Sequence, residues 1–259
     1  MNTTMRLQAL ACAMAALASG AALAETKTDG QWRGTGGAAL AMTSGNSETT
    51  ALSLAGDMSM ATTSDKTTLG ASANYGRAKI NGTQTTTSDK WAAFGQYDYN
   101  LGAKTFVFGK LGFEGDKIAK LSLRTALAAG VGYKLIDTKE TSFTLLGGAG
   151  YTTDKYSEAQ TIGSKTDTRF SRASLFLGEE SSHQISATTT FKQRLELYPG
   201  MSGDKAHLAK FSAGLAVAIS STLNLTVALT DSYNSKPPAG LKKNDMGLFT
   251  GINVKFGAQ

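Results

Sequence analysis

Few residues in this 259-residue chain are suited to catalysis. His183 and His207 are its two histidines, the side chains best placed to move protons near neutral pH. Ser212 follows His207 by five positions, which brings the parts of a Ser-His hydrolase close in sequence. A five-residue offset puts two side chains on opposite faces of a strand. Both histidines also fall in connections at strand ends, so solvated loop histidines are the expectation. No Gly-x-Ser-x-Gly elbow and no phosphate-binding loop occur. Gly34-Thr35-Gly36-Gly37 opens like a dinucleotide fingerprint, but no helical pattern follows it. Its glycines read as strand residues. Metal-ligand spacing is absent. The sequence predicts no catalytic residue, no cofactor and no metal.

Charge is the remaining chemistry, and it is ordered. Between Ile185 and Tyr198, Ile185, Ala187, Thr189, Phe191, Gln193, Leu195 and Leu197 share one parity, and Lys192, Arg194 and Glu196 share the other. Period two sustained this long is a strand with one apolar and one wet face. Applied along the chain, the parity predicts twelve inward charges: Arg33, Asp57, Asp98, Arg124, Lys134, Arg172, Lys192, Arg194, Glu196, Lys210, Asp245 and Lys255. Facing lipid, each would cost about 2–4 kcal/mol near the midplane. Inside, they can pair or meet water. Eight are positive and four negative, so an open lumen would prefer anions weakly, with Lys192 and Arg194 foremost. Equally open is a paired network that plugs a narrow lumen.

The elements that position these charges form an all-β pattern, a single antiparallel transmembrane β-barrel of about twelve strands. Trp32 to Met42 gives the first apolar parity, Leu52 to Met60 the second, Leu69 to Tyr75 the third and Trp91 to Leu101 the fourth. The fifth, near 105–114, is ambiguous, because Phe106 and Phe108 oppose Leu111 and Phe113 in parity. Leu123 to Leu135 is clear, Phe143 to Tyr151 follows, and Ala173 to Leu177 is weak. After 185–198 come Phe211 to Ile219, Leu223 to Leu229 and Met246 to Phe256. The prolines, Pro199, Pro237 and Pro238, fall between strands. Short connections (64–66, 102–104, 137–140, 220–221) alternate with longer ones (81–89, 115–120, 154–167, 199–206, 234–244), as periplasmic turns and outer loops do. The first outer turn, Ser44-Gly45-Asn46, is the short exception.

Aromatic residues near strand ends predict girdles at the membrane interfaces. Trp32, Tyr99, Tyr133, Phe143 and Phe256 fall at the short-turn end, with Tyr75, Trp91 and Tyr151 at the other. A soluble sandwich would carry large aliphatics on its apolar faces. Here those faces are interrupted by Gly, Ala and Thr, and the polar faces carry charge at mid-strand.

Residues 1–24 read as a secretory signal. Arg6 precedes the apolar run Leu7 to Ala24, which ends Ala22-Leu23-Ala24 before Glu25. Cleavage there takes 24 residues from 259 and leaves 235, a single barrel domain over 25–259. It also removes Cys12, the only cysteine, and Arg6, leaving a formal +5 spread singly along the chain. Aromatics that face lipid provide no nucleic-acid surface. The expected partners are outer-membrane lipids and the barrel-assembly machinery, which would recognise a terminal strand closing on Phe256. The expected location is the outer membrane of a Gram-negative cell, after export to the periplasm.

Several segments carry a family resemblance. They are Phe113-Glu114-Gly115-Asp116 through Leu123-Arg124, Ala129-Gly130-Val131-Gly132-Tyr133-Lys134-Leu135-Ile136-Asp137-Thr138, and Gly147-Gly148-Ala149-Gly150-Tyr151. Ser44-Gly45-Asn46-Ser47-Glu48-Thr49 and the late Pro237-Pro238 loop from Asp231 to Asp245 add to them. Over roughly 30–256 the chain resembles the YdiY-like family, described as salt-induced outer-membrane proteins with a domain of no assigned function. Departures are Phe113 where the family tends to Tyr, Gly115 where it tends to a large polar residue, and three residues after Phe256. The resemblance implies a barrel and brings no catalytic residue. Three function classes follow: a passive channel for small solutes, a closed structural envelope barrel tied to osmotic stress, and an outer-membrane hydrolase, which the residues disfavour.

Overall fold

A computed structural model describes residues 27–43, 48–80 and 83–257. The Ala24–Glu25 bond and the Ser44-Gly45-Asn46 turn lie outside the described residues. Twelve strands run in chain order: β1 Arg33–Thr43, β2 Glu48–Ala61, β3 Asp65–Ile80, β4 Thr83–Asn100, β5 Thr105–Asp116 and β6 Leu121–Asp137. They continue as β7 Thr141–Ile162, β8 Lys165–Gln184, β9 Thr189–Tyr198, β10 Leu208–Ala218, β11 Leu223–Asn234 and β12 Asn244–Gly257. Each pairs antiparallel with its sequence neighbours, and β1 meets β12 to close the ring. Closure leaves no unpaired edge, which a lipid environment demands. The seam is short, running from Arg33↔Gly257 to Ala38↔Ile252.

Alternation decides which face each residue takes. Leu40, Leu54, Leu127, Leu145, Leu177, Leu225 and Leu248 project outward and are exposed, up to 64% for Leu40. Beside them, on the other face, Ser53, Ala128, Leu146, Phe176, Asn224 and Phe249 are buried. Water offers no reason for such a belt, and hydrocarbon does. Four of the five connections at the end carrying Arg33 and Gly257 share one device. Thr62, Thr138, Ser186 and Ser220 each accept backbone N–H bonds through a side-chain hydroxyl, at 3.0–3.3 Å. A hydroxyl that satisfies the turn amides lets a tight turn form without extra residues.

Three expectations need correction. The strand expected from Ile185 begins at Thr189, because Ser186 bonds the amides of Thr188 and Thr189 and turns the chain. Residues 154–167, expected as an outer loop, continue β7 and β8 as a hairpin that turns at 163–164. Its polar composition hid an inward apolar cluster, in which Tyr156 and Phe170 meet edge-on at 6.0 Å beside Leu121 and Ile162. The 81–89 connection likewise shrinks to 81–82, because Thr83 to Asp89 extend β4. Longer connections at that end remain at 117–120, 199–207 and 235–243.

Candidate functional site, a charged lumen

The twelve charges assigned inward from parity all lie on the lumen face or its rims. At the short-turn end Arg33 makes a two-pronged contact with Asp29, at 2.7 and 2.5 Å. That guanidinium holds the Asp29 carboxyl down to about 2. Asp57, Asp98, Lys134, Lys192 and Lys255 line a cavity of ≈ 740 Å³ opening between the short turns. Asp57 accepts a hydrogen bond from Thr35 at 3.0 Å, Asp98 accepts one from Gln96 at 2.9 Å, and Lys134 pairs with Asp137 at 3.5 Å. Lys66 joins this lining.

Above the cavity the inner wall carries an apolar patch. Phe106, Phe108, Ala128, Leu146, Phe176, Tyr198 and Leu208, from six different strands, form one buried cluster. Phe176 stacks tilted against Phe108 at 5.4 Å and against Tyr198 at 5.1 Å, and is 1% exposed. Glycine makes room for the neighbouring Phe106. A Cβ on Gly132 would meet the ring carbons of Phe106, its register partner, at 2.1–2.5 Å. Strand interiors seldom keep glycine unless another group must approach closely.

Beside this cluster runs a charged network. Arg194 contacts Glu196 at 2.7 Å, Gln96 at 3.0 Å and Glu180 at 3.0 Å, the last by charge and not by an aligned hydrogen bond. Glu196 also takes Lys110, and the Tyr198 hydroxyl donates to it at 3.0 Å. Toward the long-connection end, Asp154 accepts Arg124 at 2.6 Å and Arg172 at 2.8 Å, while Arg172 reaches Asp204 at 2.5 Å. Arg172 and Asp154 are 2% and 1% exposed, so water contributes almost nothing to their solvation. Buried charges persist only when paired and hydrogen-bonded, which this geometry provides. Glu114 binds Lys210 and faces Arg124 at 3.5 Å. Asp245 meets Lys90, which also lies 3.3 Å from Asp116. The 199–207 loop folds back on β8 through Met201 N–H to Ala173 carbonyl, 2.8 Å, and delivers Asp204.

Many of these contacts join distant walls. Lys110 of β5 meets Glu196 of β9, Lys210 of β10 meets Glu114 of β5, and Lys90 of β4 meets Asp245 of β12. Each bridges four or five strand positions in a ring of twelve, close to the full width of the lumen.

Sequence reasoning missed Lys66, Lys90, Lys110, Glu114, Asp154, Glu180 and Asp204. Lys110 and Glu114 sit on β5, whose register was ambiguous because its inner face is itself apolar. Phe106 and Phe108 point inward into the buried apolar cluster, while Val107 and Leu111 point to lipid. That double apolar parity was the available signal. Asp154 lay within the supposed loop. All seven interface aromatics, Trp32, Tyr75, Trp91, Tyr99, Tyr133, Tyr151 and Phe256, are exposed on the outside. His183 lies near Thr141 at the short-turn end, and His207 accepts from Gly200 N–H at the other, at 3.0 Å. The two share no site, and Ser212 lines the cavity without either.

A closed antiparallel ring with an apolar outer belt and a charged interior is a transmembrane β-barrel of the outer-membrane type. Residues 36–256 match the family described as Protein of unknown function, DUF481, and the chain belongs to that family. The fold is similar to a NanC porin, at 11% identity over 87% of this chain and 97% of that one, with a TM-score of 0.47. It is similar to the COG4313 outer membrane channel from Pseudomonas putida F1, at 11% identity over 88% and 96%, TM-score 0.46. The translocator domain of the autotransporter NalP from Neisseria meningitidis follows, at 13% identity over 88% and 87%, TM-score 0.41. These likenesses concern shape alone. No curated protein matches.

Proposed function

We propose that the chain is an exported outer-membrane barrel whose lumen is closed at rest, serving the envelope as a structural element under osmotic stress. One observation carries this reading: the Arg194–Glu196–Lys110 and Arg194–Gln96 contacts join opposite walls beside the buried Phe108–Phe176–Tyr198 cluster. Solute passage would have to break several charge-assisted bonds at once, in a low-dielectric interior where the freed charges cannot be hydrated. Liposomes carrying the refolded chain should not swell in small sugars any faster than empty ones. Swelling at porin-like rates would refute the closed lumen.

A second reading, a passive channel gated by opening of the plug, is favoured by the cavity below it. Lys66, Lys192 and Lys255 line that cavity with no ion pair among the described residues. If the plug opens, these cations give the lumen a weak anion preference that fades as salt rises, over a Debye length of about 10 Å at 0.1 M. Reversal potentials in a salt gradient test it, with Lys192→Glu as the variant that should move them.

A further inference from the structure

On the outer face of the β7–β8 hairpin, three register-paired rows climb toward the long-connection end. Tyr151 pairs with Ala173, Thr153 with Ser171 and Lys155 with Arg169. Between these rows Thr152, Asp154 and Arg172 are buried on the inner face, so the named residues point away from the lumen. Tyr151 is half-exposed in the outer belt. Thr153 and Ser171 share a hydroxyl hydrogen bond of 3.1 Å. Lys155 and Arg169 are both exposed.

Like charges directly opposite one another on an antiparallel pair repel. The carboxylates near enough in sequence to relieve this pair are engaged elsewhere. Glu158 takes Lys120 at 3.1 Å, Asp167 takes Lys165 at 2.8 Å, and Asp154 faces inward on Arg124 and Arg172. Among the described residues neither Lys155 nor Arg169 has an ion pair. We propose that Lys155 and Arg169 hold the phosphate of a lipid headgroup in the outer leaflet. The guanidinium fork suits two phosphate oxygens and the ammonium supplies a point charge. The Thr153–Ser171 hydroxyls just below keep one donor to spare. Lys155 lies four residues beyond Tyr151, about 13 Å along the strand and about 10 Å in height at a tilt of about 40°. With the Tyr151 ring at the hydrocarbon boundary, the two cations reach headgroup level.

This inference rests on the membrane placement of the barrel, with the 163–164 turn outside, and not on whether the lumen conducts. The test is thermal unfolding of the refolded chain in detergent, with bisphosphorylated lipid A, its dephosphorylated form, or inorganic phosphate at equal concentration. The bisphosphorylated lipid should bind at least tenfold more tightly than the dephosphorylated one, and inorganic phosphate should leave the midpoint unchanged. Lys155→Ala with Arg169→Ala should lose that preference while unfolding no earlier than the original chain without lipid. Lys155→Glu should also lose it, and should gain stability from its new pairing with Arg169. Equal binding of the two lipids, an unchanged preference in the variants, or an equal response to inorganic phosphate would overturn the proposal. Failure of the chain to enter bilayers at all would instead overturn the membrane placement.

Discussion

Arg194 on β9 donates through Nη2 to Gln96 Oε1 on β4 at 3.0 Å, five strand positions around the ring. One hydrogen bond thus spans nearly the whole lumen. Both ends are held from behind: Arg194 by Glu196 at 2.7 Å, and Gln96 by donating to Asp98 at 2.9 Å. The barrel wall is therefore braced from within, and its interior follows the rules of a protein core more than those of a pore.

The brace predicts a large cost for removing one charge. Asp154 serves the buried Arg172 and the part-buried Arg124. Asp154→Asn should lower unfolding stability by about 3 kcal/mol, because two buried contacts are lost at once and Arg172 is left with Asp204 alone and Arg124 with Glu114 at 3.5 Å. Denaturant unfolding in detergent measures it. A loss below about 1 kcal/mol would mean that water reaches Arg172 in solution.

Phe106 and Gly132 form a second testable pair. Gly132→Ala should cost about 1–3 kcal/mol by overpacking against the ring. In a Phe106→Ala background the same change should be close to neutral. Equal costs in both backgrounds would show that the ring does not depend on that glycine.

At the seam, Phe256 lies across its register partner Gly34, where a Cβ would meet its ring at 2.6 Å. An aromatic covering a strand glycine helps fix the register of a short pairing. Phe256→Ala should slow folding into the heat-modifiable barrel form on gels and reduce its yield. Assembly at the original rate would assign closure to other residues.

The mature chain should begin at Glu25. The Ala22-Leu23-Ala24 pattern motivates this. Intact mass spectrometry of the membrane fraction should find residues 1–24 removed, and a retained segment would contradict it.

How legible this was in the sequence depended on what alternation can encode. Period two separates lipid-facing from lumen-facing side chains, so Lys192, Arg194 and Glu196 were placed without a structure. Parity does not say how far across the lumen a side chain reaches. Nothing local in Lys110 points to Glu196, 86 residues away. β5 was obscured because Phe106 and Phe108 make its inner face as apolar as its outer one, which violates the rule used to read it. Tyr156, Ile162 and Phe170 were lost among polar neighbours, since a hairpin that extends beyond the membrane has no lipid to impose an apolar parity on its outer face.

Single-channel recording of the refolded chain in a planar bilayer tests the closed lumen most directly. The account predicts a flat baseline for the original chain, and conducting steps once Arg194→Ala and Phe176→Ala remove the brace and the ring behind it. Steady open steps from the original chain, with the same amplitude in the double variant, would contradict it.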